Sequence, residues 1–543
     1  MTYGAVYRAH AHREPLLLAL FAGSLAAALA WAGPPGTDFA AHAYQRSLYL
    51  HHGFELWNNF WYAGHYSFIT YSLVYYPLAG LLGIKLLAVA TAAAGTLAFA
   101  VLLAREWGSR ARLASAAFAV VWGTYILTAA FPFALGLSLA LLAVCALQGG
   151  SRRWFAVLAA LTLGASPLAF LLMSLVLAGV ALGGRVSVAR MAWPALTILG
   201  WALVEVVLLR AFPSGGRYPF SGALLFQGLL FCAAVVLLTW RVEGGRLLCF
   251  AFLVLAAGCI AAYLVPSTVG QNMTRFRFVA IPVMVLALSL RHWRPWPVAV
   301  CLLALAAWWN VSPLASSFGR GEDDPTASAM YWAPAIAFLK AHLTPSYRVE
   351  VVGTARHWEA AYLPRAGVPL TRGWFRQDDF PQNKILYGPL TGRSYLAWLH
   401  TLGVRYVVLT DSPPDYSARR EAALVRRGGI GLRPVFRRGP VDVLRVPSAK
   451  RMISGSGASR VLSFSQARFV VRLDRAGYYR MAVRYSPYWT ASSGCVSKTG
   501  DGMIGLAAPR AETVSVSFRP TPGRAFDVLT HASQSSCAGR PVP

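Results

Sequence analysis

The first 310 residues are dominated by apolar runs near the length that crosses a bilayer. Read as helices, they fall at about 15–33, 80–104, 113–131, 133–150, 154–165, 167–184, 191–210, 221–240, 247–265, 276–290 and 295–311. A helix rises about 1.5 Å per residue, so roughly 20 apolar residues match a hydrocarbon core of about 30 Å. Continuous apolar runs, unlike the alternating text of barrel strands, specify helices, whose backbone groups pair within the segment. The pattern predicts a polytopic α-helical membrane domain over residues 1–311 with about eleven transmembrane helices. Residues 154–184 need a break, because one helix of that length would extend roughly 45 Å. Ser166-Pro167 in "GASPLAF" supplies it.

Arginine positions orient the domain. The segments with Arg8/Arg13, Arg105/Arg110/Arg112, Arg152/Arg153, Arg185/Arg190, Arg241/Arg246 and Arg291/Arg294 share one side and hold 13 positive residues. The opposite connections hold six: Arg46, Lys85, Arg210, Arg217, Arg275 and Arg277. Lys and Arg favour cytoplasmic loops. The N-terminus is therefore expected in the cytoplasm, with the first loop and everything after residue 311 outside. Arg13 and the "ALA" that follows also fit a signal peptide, but cleavage would remove a span that this orientation needs. The Ala/Arg/Gly-rich text suits a GC-rich bacterium, so the expected location is the bacterial cytoplasmic (inner) membrane.

After residue 311 the text becomes polar. Residues 312–450 mix helix-like "APAIAFLKAHL" with strand-like "YRVEVVG" and "RYVVLTD", which predicts an extracytoplasmic α/β domain. Residues 451–543 alternate over short runs such as "ETVSVSFRP", which predicts a β-sandwich. This part carries 31 Lys/Arg against 15 acids. Joined to a membrane domain, such a surface points to anionic lipid head groups or glycans rather than nucleic acid. Five of the seven Cys lie in apolar runs, whereas Cys495 and Cys537 lie on the expected oxidising side and are disulfide candidates.

The first loop, 34–79, is the unusual one. Residues 33–68 read "GPPGTDFAAHAYQRSLYLHHGFELWNNFWYAGHYSF". By this topology Asp38 and Glu55 are the acids of the membrane domain that face outward, with Glu205 about a turn inside. "TDFAAHAYQRSLYL" reads as an interfacial amphipathic helix in which Thr37 or Asp38 is a cap and Asp38 and His42 stand four residues apart. Asp38, His42 and Glu55 are the candidates for proton transfer near a hydroxyl. Helix capping and an aromatic belt at the interface account for the same residues equally well.

The series Asp38, His42, Gly53, Trp57, Trp61, Gly64, Tyr71 and Pro77 resembles the opening loop of the GT-C superfamily, multi-pass glycosyltransferases that use polyprenyl-phosphate sugars. More narrowly it resembles bacterial proteins labelled 6-pyruvoyl-tetrahydropterin synthase-related and the YfhO-type membrane proteins. "LGVRYVVLTD" and "YYRMAVRYSPYWTASSG" resemble the outer parts of such proteins. The resemblance implies an inverting transfer from a polyprenyl-phosphate sugar donor to a cell-envelope glycan, lipid or protein, with Asp38 as base. Many of the superfamily carry adjacent acids in this loop, but Phe39 and Ala40 follow Asp38 here. No cofactor is therefore expected, and a divalent metal is not favoured.

A lipid phosphate needs cations at the outer face. Arg275 and Arg277 in "QNMTRFRFVAIP" stand just before a membrane helix, against the positive-inside trend, and are the first candidates. Arg46 and Lys85 are the next. Trp57, Trp61 and His65 are candidates for acceptor or sugar contact, as are Arg372 and Trp374 in "LPRAGVPLTRGWFRQDDFPQN". Asp378 and Asp379 in that segment are a rival base or metal pair. Two other functions remain open: a lipid or polysaccharide transporter or flippase, and a non-catalytic envelope scaffold with a glycan-binding domain.

Overall fold

A computed structural model describes residues 3–184, 188–530 and 537 of the chain, so Arg185 of the orienting series lies outside the described residues. The chain sorts into two compact units. One is Met1–Phe39, Tyr71–Val206 and Arg217–Asp323, and the other is Ala40–Thr70, Val207–Gly216 and Asp324–Pro543. The middle of the first loop therefore belongs with the C-terminal part of the chain.

The first unit is helical. Along the chain run α1 (Tyr3–Ala32), α2 (Phe39–His52, nearly all of it in the second unit), α3 (Tyr75–Leu82), α4 (Ile84–Trp107), α5 (Arg112–Thr124), α6 (Phe131–Gln148), α7 (Arg152–Ala165) and α8 (Pro167–Gly183). After them come α9 (Val188–Ala211), α10 (Gly222–Thr239), α11 (Arg246–Leu264), α12 (Ala280–Leu290) and α13 (Trp296–Glu322). Each of the eleven apolar runs is one of these helices. Among the described residues, eight stretches are long and apolar enough to cross a membrane. The difference from eleven has two causes: α4 and α5 lie in one stretch of 45 residues, and α7 and α8 are short. Pro167 ends α7, and the Ser166 hydroxyl caps α8 by accepting from the Ala169 N–H at 3.3 Å.

Small residues let these helices approach closely. A methyl group at Gly179 of α8 would fall on the backbone of Ala251 in α11, and one at Gly136 of α6 would come 2.7 Å from the Ser166 side chain. Helices in lipid associate through such contacts, because burial from water no longer drives them together. Between α4 and α5, Phe99 stacks on Phe118 with ring centroids 4.0 Å apart.

In the second unit, β1 (Trp57–Asn58) pairs antiparallel with β2 (His65–Tyr66). Helix α14 (Ala329–His342) leads into β3 (Arg348–Val351), with α15 (Glu359–Arg365), α16 (Gly392–Thr401), β4 (Val404–Thr410), α17 (Arg419–Arg427), β5 (Arg433–Arg438) and β6 (Val441–Arg445) following. The sheet order is β3-β4-β6-β5, with β3 and β4 parallel and the other pairs antiparallel.

The remaining strands are β7 (Ile453–Gly455), β8 (Ser459–Phe464), β9 (Arg468–Leu473), β10 (Gly477–Arg484), β11 (Trp489–Ala491), β12 (Cys495–Lys498), β13 (Met503–Ala508) and β14 (Glu512–Phe518). They form two sheets, β12-β13-β10-β7 and β11-β14-β9-β8. Alternate residues of β14 point inward, so that Val514 faces Val471 and Val516 faces Phe469 in register, all four buried. Helix α18 (Pro522–Thr530) follows. A disulfide joins Cys495 to Cys537.

Candidate active site

The backbone around Asp38 is held from two sides within the first unit. The Thr37 and Asp38 N–H groups donate to the carbonyls of Leu127 and Thr128, at 3.2 and 3.0 Å. Those acceptors belong to a 3₁₀ turn, Tyr125–Thr128, at the end of α5. Gly36 permits the approach, because a Cβ there would lie 2.6 Å from both the Ala129 side chain and the Ile126 carbonyl. The Thr37 and Ser317 hydroxyls share a hydrogen bond of 2.7 Å, which ties the segment to α13. Thr37, one of the two expected caps, thus has its hydroxyl directed to another helix.

Arg275 and Arg277 lie on a ten-residue 3₁₀ segment, Gly270–Val279, that feeds α12. Runs of this kind longer than three or four residues are uncommon. Residues three apart eclipse in a 3₁₀ helix, and the Arg275 Nε accordingly donates to Asn272 Oδ1 at 3.0 Å. The Arg275 guanidinium lies 5.2 Å from the centroid of Phe133, and that of Arg277 lies 4.9 Å from Phe278. These apolar faces fix the two forks without consuming all of their donors. Gln271 Nε2 donates to the Tyr218 hydroxyl at 2.8 Å, which anchors the loop before α10. At Gly270 (φ +39°) a side chain would collide with the Tyr218 carbonyl.

These elements enclose an open cavity of about 230 Å³. Asp38, Arg275 and Arg277 line it together, with Tyr125, Tyr218 and Arg320. Among the described lining residues there are three guanidinium groups and one carboxylate, so the cavity favours an anion. Beside it is an apolar cleft of about 160 Å³, lined by Phe99, Phe133, Leu172 and Leu255 among others, and Arg275 stands in the wall of both. A charged head with an apolar tail matches that pairing. Together the two spaces reach the size of small-ligand sites, roughly 300 Å³ and upward.

Other residues named from the sequence are placed differently. Lys85 is exposed, with its ammonium 5.7 Å from the Trp31 ring, and lines a separate small cavity. His42 and Arg46 lie on α2 in the second unit, His42 fully buried and Arg46 half-buried. Glu55, also in that unit, is half-buried, and burial raises its pKa.

Trp57 and Trp61 are not open to a sugar, because both are fully packed inside the second unit. Trp57 is 2% exposed, stacks on Phe518 at 5.2 Å and donates from Nε1 to Asn59 Oδ1 at 2.7 Å. Trp61 is 0% exposed and donates from Nε1 to the Ala360 carbonyl at 2.9 Å. His65 is buried beneath Trp61, with Nδ1 3.4 Å from Asp378 Oδ2.

Arg372 is held in a buried triad, 2.7 Å from carboxylate oxygens of both Glu350 and Glu421, so its charge is neutralised inside the fold. Burial and the nearby Glu421 charge push the Glu350 carboxyl well up, against the pull of Arg372. Trp374 is half-buried against His357, with ring centroids 4.0 Å apart. Asp379 accepts from the Tyr387 hydroxyl at 2.6 Å and from Asn383 Nδ2 at 3.0 Å. Among the described residues no group of three or more His, Cys, Asp or Glu is arranged to hold a metal.

The sequence did not single out Arg320, Tyr218, Gln271 or Asn272. Arg320 lies beyond the end assigned to the last apolar run, and α13 reaches it only because the helix continues through Pro313 into polar text. The signal for Gln271 and Asn272 was available, since they stand on the same short segment as the two arginines.

No protein-family model matches the sequence, and no curated protein does. Among solved structures the chain is similar to the arabinofuranosyltransferase AftD from mycobacteria, with 15% identity and a TM-score of 0.46 over 94% of this chain and 57% of that one. It is also similar to an oligosaccharyltransferase of Archaeoglobus fulgidus, with 15% identity and a TM-score of 0.33 over 72% and 68% of the two chains. The chain spans little more than half the length of the first of these. Both scores are too low for either likeness to bear on function.

Proposed function

We propose that the chain is an integral-membrane glycosyltransferase of the GT-C kind, acting at the outer face of the membrane on a polyprenyl-phosphate sugar. The observation that supports this most directly is that Asp38 lines one cavity with Arg275 and Arg277, which are far from it in sequence, and that the cavity's wall continues into an apolar cleft. In this reading the two guanidinium forks hold the donor phosphate and the cleft receives the first isoprenoid units. Asp38 accepts the proton of the acceptor hydroxyl as its oxygen attacks the anomeric carbon. The bond from that carbon to the phosphate oxygen breaks, its electron pair leaves with the phosphate, and the configuration inverts. The arginines stabilise the charge that builds on the leaving group. Acceptors in this reading are cell-envelope glycans, lipids or proteins.

The test is transfer from a radiolabelled polyprenyl-phosphate sugar by the full chain in proteoliposomes, with phosphate-lipid binding measured alongside. Asp38→Asn should bind the lipid and fail to transfer, whereas Arg275→Gln should lose binding first. Full transfer by Asp38→Asn would overturn the assignment of the base. Undiminished lipid binding by an Arg275→Gln/Arg277→Gln double variant would overturn the donor site.

A further inference from the structure

The loop before α10 holds Tyr218, a half-buried residue, by three ties within the first unit. Its N–H donates to the Ser267 carbonyl at 2.8 Å. Gly270 leaves room for its carbonyl, which a side chain there would strike. Its hydroxyl accepts from Gln271 Nε2 at 2.8 Å. The two backbone ties fix where the ring stands, and the third fixes how the hydroxyl turns. A phenolic oxygen that accepts from an amide still has its own O–H to give. Among the described residues no acceptor takes that hydrogen.

Tyr218 lines the anion cavity, and its hydroxyl is close enough to the Arg275 and Arg277 guanidinium groups to interact with both charges. Guanidinium groups accept no hydrogen bond, so the O–H is left for an anion that they attract. Asn272, the residue after Gln271, orients the Arg275 fork by accepting from its Nε at 3.0 Å. Adjacent amides on one short segment thus each hold a donor in the wall of the same cavity.

We propose, on the reading of this cavity as the donor-phosphate site, that Tyr218 donates its hydroxyl hydrogen to a phosphate oxygen of the donor lipid. Gln271 is then a positioning residue that acts through Tyr218. A third donor, uncharged and carried on a different loop, fixes which way the phosphate faces where charge alone does not.

Titration of the full chain in nanodiscs with a polyprenyl monophosphate that carries no sugar tests this. The variants are Tyr218→Phe, Gln271→Leu and the two combined. Tyr218→Phe removes the tie to Gln271 and the hydroxyl, whereas Gln271→Leu removes the tie alone. The dissociation constant should rise about 10-fold in Tyr218→Phe, for the loss of a hydrogen bond to a charged group, and about 3-fold in Gln271→Leu. The double variant should match Tyr218→Phe, because Gln271 then has nothing to position. Equal losses in the two single variants would make the pair a tie between loops without contact to the ligand, and would overturn the proposal. Unchanged binding by Tyr218→Phe would overturn it too. Arg275→Gln is titrated alongside. If it loses binding and Tyr218→Phe does not, the donor site stands and the Tyr218 contact falls; if neither loses binding, both fall.

Discussion

The backbone N–H of Asp38 donates to the carbonyl of Thr128 at 3.0 Å, so the carboxylate is carried by a main-chain tether that its side chain does not supply. Asp38→Asn therefore removes a base and leaves the tether in place. A positioned general base contributes about 10²- to 10⁴-fold, so transfer should fall by that range while the tethered fold is retained. Kinetics and thermal unfolding of the same sample check both halves.

Gly36 makes that tether possible. In Gly36→Ala the new methyl group meets Ala129 and the Ile126 carbonyl at 2.6 Å, and neither is the end of a flexible chain. Overpacking of this kind costs about 1–3 kcal/mol. The variant should melt lower and lose transfer together, unlike Asp38→Asn.

Arg275 stands between the polar cavity and the apolar cleft. A charge-assisted hydrogen bond is worth about 1.5–3 kcal/mol, so Arg275→Gln should weaken donor binding about 10- to 100-fold. Titration of the donor lipid into wild type and variant measures it. Arg372→Gln should instead lower stability, because it leaves Glu350 and Glu421 buried without their cation.

Trp57→Ala should lower stability by about 3–5 kcal/mol, the cost of deleting a large buried aromatic side chain. A role in sugar stacking would give a different result, with normal stability and a raised KM for the acceptor. Thermal unfolding and acceptor kinetics distinguish the two.

The second unit should be most stable in mildly acidic solution. Burial would lower the His357 pKa, but hydrogen bonds and charge from Asp415 and Glu359 outweigh it and leave the group above 6.5. Burial would raise Asp415, but His357 and Arg376 hold it well below 3.8. The His357 contribution is fully present below pH 6.5 and fades as pH rises through the raised value. The Asp415 contribution is present above 3.8 and is lost as pH falls towards the depressed value. Thermal unfolding should peak between these limits and decline on the alkaline side, and His357→Gln should flatten that decline.

The helices were legible because an apolar run in lipid has one backbone solution. The break at Ser166-Pro167 was legible because proline restricts its neighbour. Strand β14 was legible from "ETVSVSF", whose period of two is local. The end of α13 was not, since "SPLASSFGRGE" carries a proline and no apolar run while the helix continues through it.

The site was legible in part. Asp38, Arg275 and Arg277 stand out because ionised groups are scarce on that side of the membrane domain. The role of the tryptophans did not stand out. Trp57 rests on Phe518, and Trp61 bonds to Ala360, and contacts across such separations leave no periodic trace near either residue. The same holds for Arg372, whose partners stand on β3 and α17.

The burial of Trp57 against Phe518 and Trp489 also sets an order of events during synthesis. The ribosome makes the loop that carries Trp57 long before the strands that enclose it. Until β11 and β14 emerge, Trp57 lacks the aromatic partners that bury it. Contacts between distant parts of a chain form slowly for this reason. A truncation that removes β14 would therefore strip Trp57 of its stacking partner Phe518 and leave the first loop unfinished.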